Sequence, residues 1–181
     1  MLSNSLKAIL TAGMVFGAAS FPGSVYAASD NGGGGNNQTV TCTNGKVWDR
    51  NKKKCVPPKN SSLDDNGLYE AARDLAYNRR YEEAITVLKL AKDQNDPRIL
   101  NYLGYSNRKL GRIHEGLAYY SAALKEDPDY TLVMEYMGEA FLQLDQVDKA
   151  KNMLSEIEKR CGKGCREYTM LETEINRYLT Q

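Results

Sequence analysis

From residue 67 onward, apolar and small side chains recur at helical spacing. Leu68, Ala71, Ala72 and Leu75 fall on one face of a helix, and Ala84, Leu88 and Ala91 on one face of a second. Asn78-Arg79-Arg80 separates them, so the pattern predicts helix over about 67–78 and 81–93. Asp64, Asp65 and Asn66 can each cap the first helix, where a carboxylate complements the helix dipole. The same kinds of residue return 32 positions later as Leu100, Leu103, Gly104, Gly116, Tyr120 and Ala123. A further 34 positions on they return again as Met134, Met137, Gly138, Ala150, Leu154 and Ile157. Asp96-Pro97 and Asp127-Pro128 punctuate the pattern, since proline suits the first helical turn with aspartate before it as the cap. Gly111 is placed to end one helix in a left-handed conformation, and Leu144-Asp145-Gln146 makes the next turn. Tyr168, Leu171, Ile175 and Tyr178 predict a last helix over 166–179.

The small residues come in pairs: Ala72 with Ala84, Gly104 with Gly116, and Gly138 with Ala150. Each pair marks where two helix axes come closest, and a larger side chain there costs about 1–3 kcal/mol. Small residues at such contacts with a step near 34 resemble the tetratricopeptide repeat. The resemblance covers about residues 65–179 and implies an all-α fold. That fold is a helix-turn-helix solenoid of three repeats, over 65–96, 97–130 and 131–162, with a capping helix over 163–181. The cap is needed because a bare solenoid end leaves an apolar face in water. The chain departs from the family pattern in four ways. The first repeat has Ala72 for glycine and a step of 32. The third lacks its closing proline, and Leu68, Leu100 and Met134 stand where an aromatic is usual.

In the family the first helix of each repeat lines a concave groove. Carrying those positions over gives Tyr69, Arg73 and Tyr77, with Asn66, from the first repeat; Arg98, Asn101, Tyr105, Arg108 and Lys109 from the second; and Glu135 and Glu139, with Leu132 and Gln143, from the third. One end is basic and aromatic and the other acidic. Arginine and tyrosine are frequent interface anchors. The forked guanidinium of Arg73 or Arg108 suits a carboxylate, so the expected ligand is an extended peptide or chain terminus with its acidic part there. The pattern lacks the full set by which chaperone-binding members clamp a carboxy-terminal peptide.

The chain begins differently. Lys7 is the only charge before an apolar run over 8–19; Phe21-Pro22-Gly23 breaks it, and Val25-Tyr26-Ala27 suits cleavage. Residues 1–27 therefore read as a signal peptide, with an uncleaved anchor as the alternative; the run is short for a span, which needs about 20 residues. No second long apolar run follows, so no transmembrane segment is expected in the mature chain. Residues 28–40, rich in Gly and Asn, read as a flexible linker. Export makes disulfides the first reading of the four cysteines. Cys42 and Cys55 would close a small hairpin over 41–56, and Cys161 and Cys165 would pin the turn before the last helix, with Gly162 and Gly164 giving the backbone its freedom. A bond between Cys42 and either distal cysteine is the competing arrangement.

The hairpin resembles short Cys-x-x-Gly-x-Val-Trp-Asp…Cys modules of exported proteins, some of them similar to carbohydrate-binding hairpins. Trp48 either packs on its own disulfide or stacks on a sugar or aromatic partner. Lys46, Arg50, Lys52, Lys53 and Lys54 form a basic knob that is either a solvated turn or a contact for anionic polymers. Residues 57–64 read as a second linker, stiffened by Pro57 and Pro58.

Charge and composition narrow the chemistry. The chain has 24 Lys and Arg against 23 Asp and Glu, which argues against nucleic-acid binding. His114 is the only histidine, so no metal site and no cofactor is expected. No nucleophile–base pairing, phosphate loop or carboxylate dyad stands out. The spacing of Cys161 and Cys165 differs from Cys-x-x-Cys, which leaves a thiol-disulfide enzyme a minor alternative. The expectation is a non-enzymatic adaptor or scaffold of the bacterial periplasm or envelope that binds a protein or peptide. A carbohydrate- or cell-wall-binding protein led by Trp48 is the second reading. Asn37-Gln38-Thr39 and Asn60-Ser61-Ser62 would be glycosylation acceptors in a eukaryote.

Overall fold

The computed structural model describes residue 40 and residues 42–49 and 51–180. The expected signal peptide over 1–27, and the linker before residue 40, lie outside the described residues. Two short strands, β1 (Val47–Asp49) and β2 (Lys54–Val56), pair antiparallel with Trp48 opposite Cys55. A 3-10 turn, Pro58–Asn60, leads into α1 (Asp65–Tyr77), α2 (Tyr81–Leu88), α3 (Pro97–Lys109), α4 (Ile113–Glu126), α5 (Thr131–Leu142), α6 (Val147–Cys161) and α7 (Arg166–Leu179). α1 packs on α2, α3 on α4 and α5 on α6, while α1, α3 and α5 are also neighbours and α7 lies against α5 and α6. This is the all-α helical-hairpin solenoid with a terminal helix that the tetratricopeptide resemblance implies. No helix among the described residues is long and apolar enough to cross a membrane.

The three turns between paired helices are built alike. Arg79, Gly111 and Asp145 each take a positive φ, of 62°, 82° and 59°. The next N–H then reaches back five residues: Arg80 to the Leu75 carbonyl, Arg112 to Asn107 and Gln146 to Phe141, each at 2.9 Å. That bond satisfies a carbonyl the helix end would leave bare. Only Gly111 announces this conformation in the sequence.

The glycines mark close approaches. A Cβ on Gly104 would lie 2.6 Å from the Tyr120 ring and 3.1 Å from the Gly116 carbonyl, so α3 and α4 meet there as the spacing predicts. Gly104→Ala should gain up to about 1 kcal/mol of helix propensity and lose about 1–3 kcal/mol to the clash. The expected result is a net loss of stability, read as a lower urea midpoint with an unchanged slope. Gly138 differs from expectation. Its Cβ would meet Leu171 of α7 at 2.6 Å, so the terminal helix is the neighbour that an added methyl would strike.

α2 stops at Leu88, short of the predicted residue 93. The Asp65 carboxylate accepts the N–H groups of Lys92 and Asp93 at 2.9 and 2.8 Å, and the Gln94 amide donates to the Leu88 and Ala91 carbonyls. These bonds replace the next helical turn. Asp64 is the α1 cap, accepting from the Gly67 N–H at 2.9 Å.

The hairpin is closed by Cys42–Cys55, and Cys161 is bonded to Cys165. The hairpin packs against the helices. Val47 and Val56 are buried in one apolar cluster with Leu68, Ala72, Leu75 and Leu88 of the first helical pair. Arg80 donates to the Cys42 carbonyl and forks onto Glu83, whose carboxylate also accepts the Gly45 N–H. Residues 57–64 are likewise no free linker. The Ser62 N–H and hydroxyl donate to the fully buried Asp49 carboxylate at 2.8 and 2.9 Å, alongside the N–H groups of Asn51 and Lys52. Burial alone would raise the Asp49 pKa, but the Lys52 and Ser62 donors and the Lys52 charge outweigh it and hold the carboxyl far below its usual range.

Candidate functional site

The face shared by α1, α3 and α5 is lined with tyrosine. The Tyr69 and Tyr102 ring centroids are 5.6 Å apart, Tyr102 and Tyr105 5.9 Å, and Tyr105 and Tyr136 5.0 Å. Such tilted and edge-on pairs are favourable for aromatic rings. Tyr102 and Tyr136 form the buried floor, while Tyr69 and Tyr105 are half-buried and Tyr77 is 59% exposed. The Tyr102 hydroxyl donates to that of Tyr77 at 2.9 Å, which fixes the outermost ring.

Cations cover several of these rings. The Arg98 guanidinium lies 4.9 Å from the Tyr69 centroid and that of Arg73 5.8 Å. Arg98 is held by Asp96 through contacts of 2.7 and 3.1 Å and donates to the Asn66 side chain at 2.9 Å. Arg73 is 38% exposed, and its ion pair with Asp74 is long, at 3.8 Å. It is therefore the groove guanidinium least committed to the chain's own carboxylates.

Arg108 corrects the expectation that its fork holds a ligand. It is buried, with Nη1 2.7 Å from Glu139 Oε2 and Nε donating to the Tyr120 hydroxyl at 3.3 Å. The guanidinium also lies 5.6 and 5.8 Å from the Tyr105 and Tyr136 centroids. It holds α3 to α4 and α5. Asn101 is fully buried beside the Tyr130 hydroxyl, and Glu135 is buried next to Glu139, so neither is open to a ligand. Burial first, and then the Glu139 charge and hydrogen bond, push the Glu135 carboxyl well above its usual range against the pull of Arg108. Lys109 stays exposed, 4.0 Å from Glu139 and 5.4 Å from the Tyr105 centroid. Partial burial of its stem, followed by the neighbouring Arg108, lowers its pKa.

The structure thus brings Tyr69, Arg73, Tyr77, Arg98, Tyr105, Lys109 and Glu139 onto one accessible face and places Asn101, Arg108 and Glu135 beneath it. Tyr102 and Tyr136 escape the sequence reasoning although they stand 34 residues apart at the same repeat position. An aromatic recurring at the repeat step was the available signal. Away from this face, Trp48 is half-buried opposite Cys55. Cys161, Cys165 and Glu167 are the one group of potential metal ligands among the described residues, and the bond between the two sulfurs removes their thiolates.

Comparison with known proteins agrees with this architecture. Two family models, each described as tetratricopeptide repeat, match residues 69–131 and 108–175. None of the curated proteins matches the chain significantly. The first TPR of Spaghetti (RPAP3) bound to the HSP90 peptide SRMEEVD superposes with a TM-score of 0.56 at 18% identity, covering 67% of this chain and 97% of that one. The type III secretion chaperone SycD of Yersinia enterocolitica, in complex with a peptide of the translocator YopD, gives 0.54 at 21% identity over 64% and 88%. A type III secretion complex from Aeromonas hydrophila gives 0.56 at 16% identity over 64% and 81%. At these identities the likeness speaks to the fold.

Proposed function

Because the chain belongs to the tetratricopeptide repeat family, we propose that it is a non-enzymatic binding module holding an extended peptide or protein segment along the shared face of α1, α3 and α5. The observation that carries this is the line of accessible tyrosines beside Arg73, a half-exposed guanidinium whose own partners are the Tyr69 side chain and a long 3.8 Å pair with Asp74. Aromatic rings supply contact area at low entropic cost, and an accessible arginine supplies direction by pairing with an acidic group. Two proteins of the same fold were solved with peptides, one from HSP90 and one from YopD, and this supports the class of ligand. The partner's acidic part belongs at Arg73, since Arg98 and Arg108 already face Asp96 and Glu139. The apolar run near the start and the two local cysteine pairs support export, and we place the adaptor in the bacterial periplasm or envelope.

The test is selection of peptides from a displayed random library on the full chain, followed by Tyr69→Ala with Arg73→Ala. Both side chains are half-exposed, so helix content should survive. Affinity for the selected peptides should fall by about tenfold or more, as for truncated interface anchors. Selected peptides that bind the double variant undiminished would refute this site.

A further inference from the structure

The hairpin carries charge that the helices do not. Residues 42–60 hold six Lys and Arg against one carboxylate, whereas residues 64–180 hold seventeen against twenty-one. The single carboxylate is Asp49, buried and turned inward onto Ser62 and Lys52. Lys46, Lys53, Lys54 and Lys59 are exposed, and none of them pairs with a carboxylate among the described residues. Only Lys52 is engaged, with the Asn60 carbonyl and Asp49. The burial of β1 alternates, so Trp48 lies on the opposite side from Val47 and Asp49.

This knob is held against the helices. Its disulfide, the Val47 and Val56 packing and the Arg80 and Glu83 contacts fix it on the first helical pair. The shallow cleft beside it is lined by Thr43, Asn44, Gly45, Asn78, Arg80 and Glu83, and by neither Trp48 nor the free lysines. A protruding cationic tip with a half-buried indole matches a broad anionic surface, in which lysines reach phosphates and tryptophan sits at headgroup level.

We propose that the hairpin docks the protein on an anionic phospholipid bilayer through Trp48 and the exposed Lys46, Lys53 and Lys59; Lys54 pairs with Asp49 and so lies on the face away from Trp48. The acidic excess of the helices then keeps them away from the same surface.

Trp48 is the only tryptophan, so its emission reports the hairpin alone. The mature chain, from residue 28, is titrated with phosphatidylcholine vesicles, with and without about 30% phosphatidylglycerol, at low salt and at several times physiological salt. A blue shift is expected only with the anionic vesicles at low salt, reversing as salt screens the charges. Lys46→Glu with Lys53→Glu, and separately Lys53→Glu with Lys59→Glu, should each weaken the lipid response by roughly twentyfold or more, with helical circular dichroism unchanged. An equal shift on neutral vesicles, no shift on anionic ones, or undiminished response of both variants would overturn the proposal. So would a larger shift on soluble polygalacturonate at equal charge, which would make the ligand a polysaccharide.

Discussion

Replacing Arg108 with alanine should unfold the protein well before it tells anything about ligand binding. The guanidinium is buried among Glu139, Tyr120, Tyr105 and Tyr136, and Glu135 lies beside Glu139. Removing one member of a buried ion pair leaves the other uncompensated, which costs about 3–5 kcal/mol. That is a large share of the roughly 5–15 kcal/mol by which a domain is stable. Urea denaturation followed by circular dichroism should show a much lower midpoint, and a loss below about 1 kcal/mol would show that Arg108 is not a structural linchpin. Adding Glu139→Leu and Glu135→Leu to Arg108→Met should recover most of the loss, because well-packed apolar groups often replace a buried ionic cluster without penalty.

Glu135 should make stability fall as the solution becomes more alkaline. Its folded pKa lies above the unfolded value, so the folded state holds a proton that the unfolded state has released. The contribution is fully present below the ordinary carboxylate range and is lost as pH rises through the folded pKa. Glu135→Gln keeps the shape and removes the proton equilibrium. It should flatten the pH profile and stabilise the protein at mildly alkaline pH by at least about 1–3 kcal/mol, the scale of one poorly satisfied buried polar group. Thermal melts of both forms across neutral and alkaline pH would decide it, and parallel profiles would place the proton elsewhere.

What was legible in the sequence was whatever repeats. Leu68, Leu100 and Met134 recur with their small partners because every repeat solves the same packing problem. Cys42 with Cys55 and Cys161 with Cys165 could be paired because each closes a short local loop. What was not legible depends on contacts made once, between distant residues. Asp65 ends α2 by reaching residues 27 and 28 positions on, and Ser62 pins the hairpin through an aspartate 13 positions back. Arg108 looks like an anchor by residue type, and Glu139, 31 positions later, makes it a floor beam. Arginine and glutamate at groove positions read the same whether they face solvent or each other. Only the tyrosine packing, invisible to a count of small residues, decides between them.

The valines shared between the hairpin and the first helical pair bear on how this protein is cut for experiments. A fragment begun at residue 65 looks natural, since it keeps every helix. It would strip Val47 and Val56 from Leu68, Ala72 and Leu75 and leave a greasy scar. Such a fragment would stick to columns, to itself and to bystanders, and its adhesion would be mistaken for recognition. A boundary placed ahead of Cys42 avoids the artefact.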